Sequence, residues 1–278
     1  EDEACGATWD SPWGRGRPGW HLECSAMAMA ILGETLDIHA GGIDLTFPHH
    51  EDEIAQSEAA TGKPFARVWC HGEFLLTDGA KMAKRVGNVS TVADLRAQGV
   101  SAAALRHFVF STHYRKQLNL SGAALEGSME AVRRVGDFSD RLGRERGGSV
   151  ALAEAADTLM VEATNALWDD LNAPRAVGAL FEFIHAANKA FDAKGTDPAA
   201  LAKAREAFAR VNAVLDLVPD TGTGDAELAG WVEGQLASRK AARERRDFAE
   251  ADRIRKALEE KGIAIEDSPS GTRWKKVH

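Results

Sequence analysis

The chain is 278 residues long, 44% hydrophobic and 27% charged, with a formal net charge of −8. That suffices for one sizeable core and points to more than one domain; the acidic balance excludes a uniformly basic nucleic-acid binder but leaves room for a local basic surface. Three cysteines, Cys5, Cys24 and Cys70, are too few and odd in number for a disulfide framework, which points to a reducing, cytoplasmic compartment. No apolar run is long enough to span a bilayer, so no membrane partner is expected. The first residue is Glu1 rather than Met, as expected of a fragment or a trimmed chain.

Residues up to about Arg17 read as loop, rich in Gly, Pro and Trp. Leu22–Leu32 is expected to be helical, with Gly33 as its stop. Leu36–Ala40 has strand character and runs into Gly41-Gly42, where the backbone can turn tightly. Pro48 suits a helix start, and the segment from His49 to Ala60 is closed by Gly62. Val68–Leu76 again reads as a strand. This alternation is the rhythm of an α/β sheet. Beyond Asn88, Val92–Ala97 and Ala102–Phe110 read as helices, and from Ala123 helical periodicity dominates. Leu152–Leu167, Pro174–Asp192 and Pro198–Leu217 suggest an antiparallel bundle. Pro219–Gly224 reads as a linker. Two further helices, Glu227–Arg246 and Phe248–Lys261, and a short strand, Ile263–Ile265, complete the chain.

Cys24, His49 and Glu53 form a spaced set of metal donors. Thiolate, imidazole and carboxylate are the groups zinc takes, and His49 and Glu53, four apart, lie on one face of a helix. A lone Cys24 would more often be a small buried hydrophobe; its partners favour the metal. His50 and Glu51 fit a helix surface or groups that orient a ligand's ring. Cys70 sits in an apolar strand and reads as core. Lys81-Met82-Ala83-Lys84-Arg85 is a basic loop suited to nucleotide phosphates. A basic run from Arg239 to Lys256, interleaved with acids, fits an exposed salt-bridged helix or a contact with RNA phosphate.

Three segments carry a specific resemblance: Gly16–Met27 (Gly-Arg-Pro-Gly-Trp-His-Leu-Glu-Cys-Ser-Ala-Met), Asp37–Leu45 and Phe47–Ser57. They resemble the second half of the catalytic domain of cysteinyl-tRNA synthetases, which are class I enzymes. The Lys81 loop with Gly87-Asn88 is similar to the KMSKS loop of that class, and Ser111–Arg115 and the terminal Asp267–Thr272 also fit. The resemblance implies α/β followed by all-α architecture. Residues 1–76 would be the distal part of a Rossmann-like catalytic domain with a zinc site, and 77–120 a connecting module around the lysine loop. Residues 121–218 would form a DALR-like helical bundle, and 225–278 a small anticodon-recognition domain.

The resemblance further implies a cysteine–tRNA ligase that makes cysteinyl-adenylate from cysteine and ATP, with Mg2+, and transfers the cysteinyl group to tRNA(Cys), acting as a monomer. Cys24, His49 and Glu53 match three of the family's four ligands to one Zn2+ per chain, which binds the substrate thiolate. Trp20 matches the tryptophan lining the cysteine pocket, and Asp44 sits where the family contacts the adenylate. Lys81 and Lys84 match the two loop lysines, which stabilise charge building on the phosphates; Ala83 and Arg85 replace the family's two serines. In the family the terminal module reads the anticodon, which gives Arg273, Trp274 and Lys275 an RNA-binding role, with Trp274 offering a plane for an unstacked base.

The family's first half holds the fourth zinc ligand and the HIGH motif, and no such segment is seen in this sequence, so the chain alone is expected to be poorly active in adenylation. Two other readings remain open. One is the related cysteine ligase of mycothiol synthesis, which joins cysteine to an amino sugar. The other is a non-catalytic paralogue binding zinc or RNA.

Overall fold

The structure, a computed structural model, describes residues 4, 6–82, 88–219, 223–245, 247–268 and 271–276, though not the side chains of 223–229, 266–268, 271, 273, 275 and 276. Helix α1 (Trp20–Leu32) starts after an extended Gly19 and ends at Gly33, whose φ of 95° suits glycine. Strand β1 (Leu36–Gly42) leads through a 3-10 turn (Ile43–Leu45) and a wider helical turn (Thr46–His50) into α2 (Glu51–Thr61). Glu51, Asp52 and Glu53 fill the first turn of α2, where the helix dipole favours negative charge. Strand β2 (Ala66–Gly72) pairs in parallel with β1, from Leu36 opposite Ala66 to Gly42 opposite Gly72. Because side chains alternate across a strand, His39, Trp69 and His71 share one face of this sheet, and Ile38, Val68 and Cys70 the other.

The expected single strand Val68–Leu76 is in fact two. The chain leaves the first sheet after Gly72, and β3 (Leu75–Thr77) belongs to a second sheet of order β4–β3–β5, with β4 at Ala80–Lys81 and β5 at Leu118–Leu120. Backbone pairing explains the break. The Glu73 N–H donates to the Tyr114 carbonyl at 2.8 Å, and the Phe74 carbonyl accepts from Leu118 at 3.1 Å, so the segment 111–120 recruits this stretch away from β1. Between β4 and β5 lie α3 (Val92–Ala97), capped reciprocally by Thr91 and Asp94, and α4 (Ala102–Phe110), capped by Ser101. Leu95, Val100, Ala104, Phe108, Leu120 and Val132 form the core of this connecting module.

Helices α5 (Gly122–Arg144), α6 (Val150–Trp168), α7 (Ala173–Asp192) and α8 (Pro198–Leu215) make the bundle, each capped at its N-terminus by a side chain: Ser121, Ser149, Asn172 and Asp197. Their apolar stripes meet around Phe138, Leu159, Leu180, Phe183 and Phe208. His107 of α4 packs edge-on to Phe181 of α7, 6.0 Å between ring centres, and so joins the connecting module to the bundle.

The chain divides into two units, Glu1–Pro219 and Asp220–His278. The second holds α9 (Thr223–Glu244), α10 (Phe248–Glu260) and a hairpin of β6 (Ile263–Ser268) and β7 (Gly271–Lys276) around Val232, Ile254, Leu258 and Ile263. Strand β7 is not expected from the sequence, because Gly-Thr-Arg-Trp-Lys-Lys lacks apolar alternation. It forms by full backbone pairing with β6, and Trp274 supplies its packing contact opposite Ile265.

Candidate metal and nucleotide site

Helix α1, the helical turn Thr46–His50 and the first turn of α2 bring the candidate metal donors together. Donor atoms of Cys24, His49 and Glu53 lie within 4.8 Å of one another. His49 and Glu53 are buried, and His49 Nε2 stands 2.9 Å from Glu53 Oε1 across the i,i+4 spacing. Burial and then the Glu53 carboxylate push the Cys24 thiol above its ordinary pKa.

The other face of the His49 ring is held. His49 Nδ1 lies 2.7 Å from His21 Nδ1, and His21 Nε2 lies 3.3 Å from an Asp52 carboxylate oxygen. If His21 keeps its Nε2 proton toward Asp52, its Nδ1 accepts from His49 Nδ1–H, and His49 Nε2 is left as a lone pair facing Cys24 and Glu53. That is the tautomer a metal ligand needs. Trp20 lies over the same ring, 4.4 Å between centres.

Behind Glu53 stands a second group of rings. His39 Nε2 approaches Glu53 Oε2 to 2.8 Å, an ion pair when His39 is protonated, and this buried oxygen makes no hydrogen bond. His50 Nδ1 lies 2.8 Å from His71 Nε2, and burial lowers the His50 pKa. Gly41 permits this packing: a Cβ there would fall 2.6 Å from His50 Cε1. The donor set, one thiol, one imidazole and one carboxylate carrying an unsatisfied buried oxygen, fits a zinc ion.

Asp44, expected from the sequence to contact the nucleotide, is exposed in the 3-10 turn after β1. Its carboxylate folds back over Gly42, where a Cβ would meet Oδ1 at 2.5 Å. Lys81 ends β4 with its ammonium 3.9 Å above the Phe74 ring, and Asn88 Nδ2 donates to the Lys81 carbonyl at 3.2 Å. Lys84 lies outside the described residues.

Comparison with known proteins gives this arrangement its context. Residues 1–130 match the class I (C) tRNA synthetase catalytic domain, 162–218 the DALR domain and 225–274 the cysteinyl-tRNA ligase anticodon binding domain. The cysteine–tRNA ligase of Solibacter usitatus is 44% identical over 271 residues, covering 96% of this chain and 58% of the relative. That of Geobacter sulfurreducens is 43% identical over 293 residues, covering 96% and 60%. The chain belongs to the cysteine–tRNA ligase family. It spans somewhat under three-fifths of the Solibacter relative's length. A LeuRS–tRNA–LeuAMS ternary complex from Agrobacterium radiobacter K84 shares the fold, with a TM-score of 0.57 at 16% identity over 76% of this chain and 32% of that one.

In the terminal unit, which matches the family's anticodon binding domain, Trp274 is half-buried and packs against the small core, so part of its ring is committed to the fold. The side chains of Arg273 and Lys275 lie outside the described residues. Arg239, Lys240, Arg243, Glu244 and Thr272 line a pocket of about 290 Å³.

Sequence reasoning assigns His21, His39 and His71 no role in the site, yet all three stand in or behind the donor cluster. The signal is present in the chain. His39 and His71 fall on one face of two parallel strands by period-two alternation, and that face becomes visible once the register of β1 against β2 is known.

Proposed function

We propose that this chain carries the cysteine-selecting, ATP-contacting and tRNA-reading parts of a cytoplasmic cysteine–tRNA ligase. The activity is conversion of cysteine and ATP to cysteinyl-adenylate, followed by transfer to tRNA(Cys). The observation that carries the reading is the convergence of Cys24, His49 and Glu53 within 4.8 Å in a chain whose relatives are cysteine–tRNA ligases. Those three residues would hold one zinc ion, which supplies a thiolate-preferring Lewis acid that takes cysteine and refuses serine.

The chain's own residues do the rest. His21, held by Asp52, fixes the His49 ring, and Trp20 walls the cysteine pocket over it. Asp44 contacts the nucleotide. Lys81 and Lys84 meet the triphosphate with Mg2+ and favour the transition state, in which charge grows on the phosphates. Leaving Phe74 is the movement this assigns to Lys81. The domain assignment follows the same reading: 1–76 distal catalytic part, 77–120 lysine-loop module, 121–218 bundle, 225–278 anticodon module, acting as a monomer. Arg273, Trp274 and Lys275 contribute to RNA contact. A match to an anticodon binding domain over residues 225–274 favours an RNA acceptor over the amino sugar of mycothiol synthesis.

The test uses cobalt-substituted chain titrated with cysteine and with serine. Cysteine is expected to add a thiolate-to-cobalt charge-transfer band that serine does not, and Cys24→Ser to weaken cobalt binding. Equal responses to the two amino acids would defeat the reading.

A further inference from the structure

Glu53 has two carboxylate oxygens, and they face different partners. Oε1 stands 2.9 Å from His49 Nε2. Oε2 is turned toward β1, where His39 Nε2 lies 2.8 Å from it. Glu53 is fully buried, and Oε2 makes no hydrogen bond. Hydrogen bonding is the ordinary use of a buried polar cluster, and here it leaves an anionic oxygen unsatisfied.

Around that oxygen a second donor set closes. His39, His50 and Glu53 each place one donor atom within 4.8 Å of the other two. This set shares only Glu53 with Cys24 and His49. His39 comes from β1, His50 from the helical turn before α2, and Glu53 from the first turn of α2. His71 Nε2, 2.8 Å from His50 Nδ1, steadies the His50 ring, as a partner on the far nitrogen commonly orients a ligating imidazole. Gly41 leaves the other edge of that ring clear, since a Cβ there would stand 2.9 Å from His50 Nε2. Burial lowers the His50 pKa, which favours the neutral ring that a metal needs. Phe65 and Trp69 wall His39, with ring centres 5.5 and 4.8 Å away, so the donors sit in an apolar shell. The His39 side chain is itself 20% exposed, which gives an ion a way in from solvent.

We propose that His39, His50 and Glu53 Oε2 hold a second divalent metal ion, with the Glu53 carboxylate bridging it to the ion of Cys24 and His49. Two imidazoles and a carboxylate, with no thiolate, suit zinc, cobalt or nickel. Lacking the thiolate, and repelled by the dication beside it, the second ion binds more weakly and fills only when metal is in excess. Once bound, it fixes the far oxygen of a carboxylate that the first ion also uses, so the two sites sense each other. The inference goes beyond the ligase reading and does not rest on cysteine, ATP or tRNA binding.

The test titrates the metal-free chain with Co2+ and counts bound ions by equilibrium dialysis and elemental analysis. Two ions per chain are expected, the second weaker by at least about tenfold. The first brings the Cys24 thiolate-to-cobalt charge-transfer band; the second adds visible d–d absorption and no further charge-transfer intensity. His39→Gln and His50→Gln should each reduce the count to one and keep the band. Cys24→Ser should remove the band and leave the ion at His39 and His50 in place, and Glu53→Gln should weaken both. If a histidine variant loses both ions, electron paramagnetic resonance of the doubly loaded wild type decides, because two Co2+ ions bridged by one carboxylate are magnetically coupled. The proposal is overturned by a wild-type count of one, by a second ion that survives both histidine substitutions or carries a thiolate band of its own, or by a resonance signal that merely doubles. Since Cys24→Ser and the histidine substitutions act on different ions, failure of the second site is separable from failure of the first.

Discussion

Replacing Glu53 with Gln preserves volume and removes a charge, and the structure gives opposite expectations for the metal-bound and metal-free chain. Glu53 is 1% exposed, with Oε1 2.9 Å from His49 Nε2 and Oε2 without a hydrogen-bond partner. In the zinc-bound form the substitution breaks a buried opposite-charge contact, for which ~3–5 kcal/mol is typical. At 1.4 kcal/mol per decade this weakens zinc binding by roughly two to three and a half orders of magnitude. In the metal-free form the same carboxylate is a liability, since an unsatisfied buried polar group costs ~1–3 kcal/mol. The neutral amide is expected to recover about 1 kcal/mol of this, or a rise of ~2–4 °C in melting temperature for a unit of this size. Competition with a zinc chelator reads the first effect, and calorimetry of metal-free chain the second. If E53Q lowers the melting temperature of metal-free and zinc-loaded chain equally, Glu53 is a structural acceptor and the metal assignment falls.

Gly41→Ala places a Cβ 2.6 Å from the His50 ring, and the displaced ring should weaken zinc binding ~10–100-fold, as loss of groups around a metal site does; unchanged chelator competition would contradict the packing. His107, whose pKa burial lowers, takes up its proton at lower pH in the folded chain than in the unfolded chain, where histidine titrates at about 6.5. Stability should therefore fall as pH drops through that value, and the urea midpoint of His107→Phe should fall less steeply than wild type between pH 7.5 and 5.5 (roughly the range where histidine titrates). The Asp170 carboxyl is held down to about 2, by Arg115 first and the Tyr114 hydroxyl second. Its contribution is complete above its ordinary value of 3.8 and is lost as pH falls toward 2. Asp170→Asn should abolish that part of the acid transition, and an unaltered acid limb in circular dichroism would refute it. Charge reversal of Arg273 and Lys275 should weaken tRNA binding and flatten its salt dependence by about one unit of slope for each phosphate no longer neutralised, read by filter binding over a salt series.

The helices were legible because their signals are local. Ser101, Ser121, Ser149 and Asp197 each cap a helix N-terminus from within a few residues of it, and Pro198 starts α8 in the first-turn position it favours. The strands were less so. Nothing local in Val68–Leu76 says that the chain changes sheets at Gly72; that depends on Tyr114 and Leu118, over 40 residues away, supplying the competing backbone partners. Strand β7 is largely polar and exists because β6 pairs with it. That Cys24, His49 and Glu53 converge was legible from residue type and spacing, whereas the ring cluster behind them required a register. Lone histidines carry no such information by themselves.

That register also separates two jobs. On β1, His39 faces the donor cluster and Ile38 faces away, and on β2 Trp69 and Val68 divide in the same manner. A slip of one residue would exchange the faces, carrying Ile38 into the ring cluster and His39 onto the bare apolar side. Two features hold the strands against such a slip. The Leu36 N–H donates to the carbonyl of fully buried Phe65 at 2.8 Å, and the Gly41 backbone fits against the His50 ring where any other residue would collide. Leu36 and Gly41 stand near opposite ends of β1, so the short pairing is fixed without a third strand. The three donors of this chain are therefore held from one face of the sheet. It follows that Ile38→Lys, on the opposite face, should leave this chain's zinc affinity unchanged in the same chelator competition that E53Q fails.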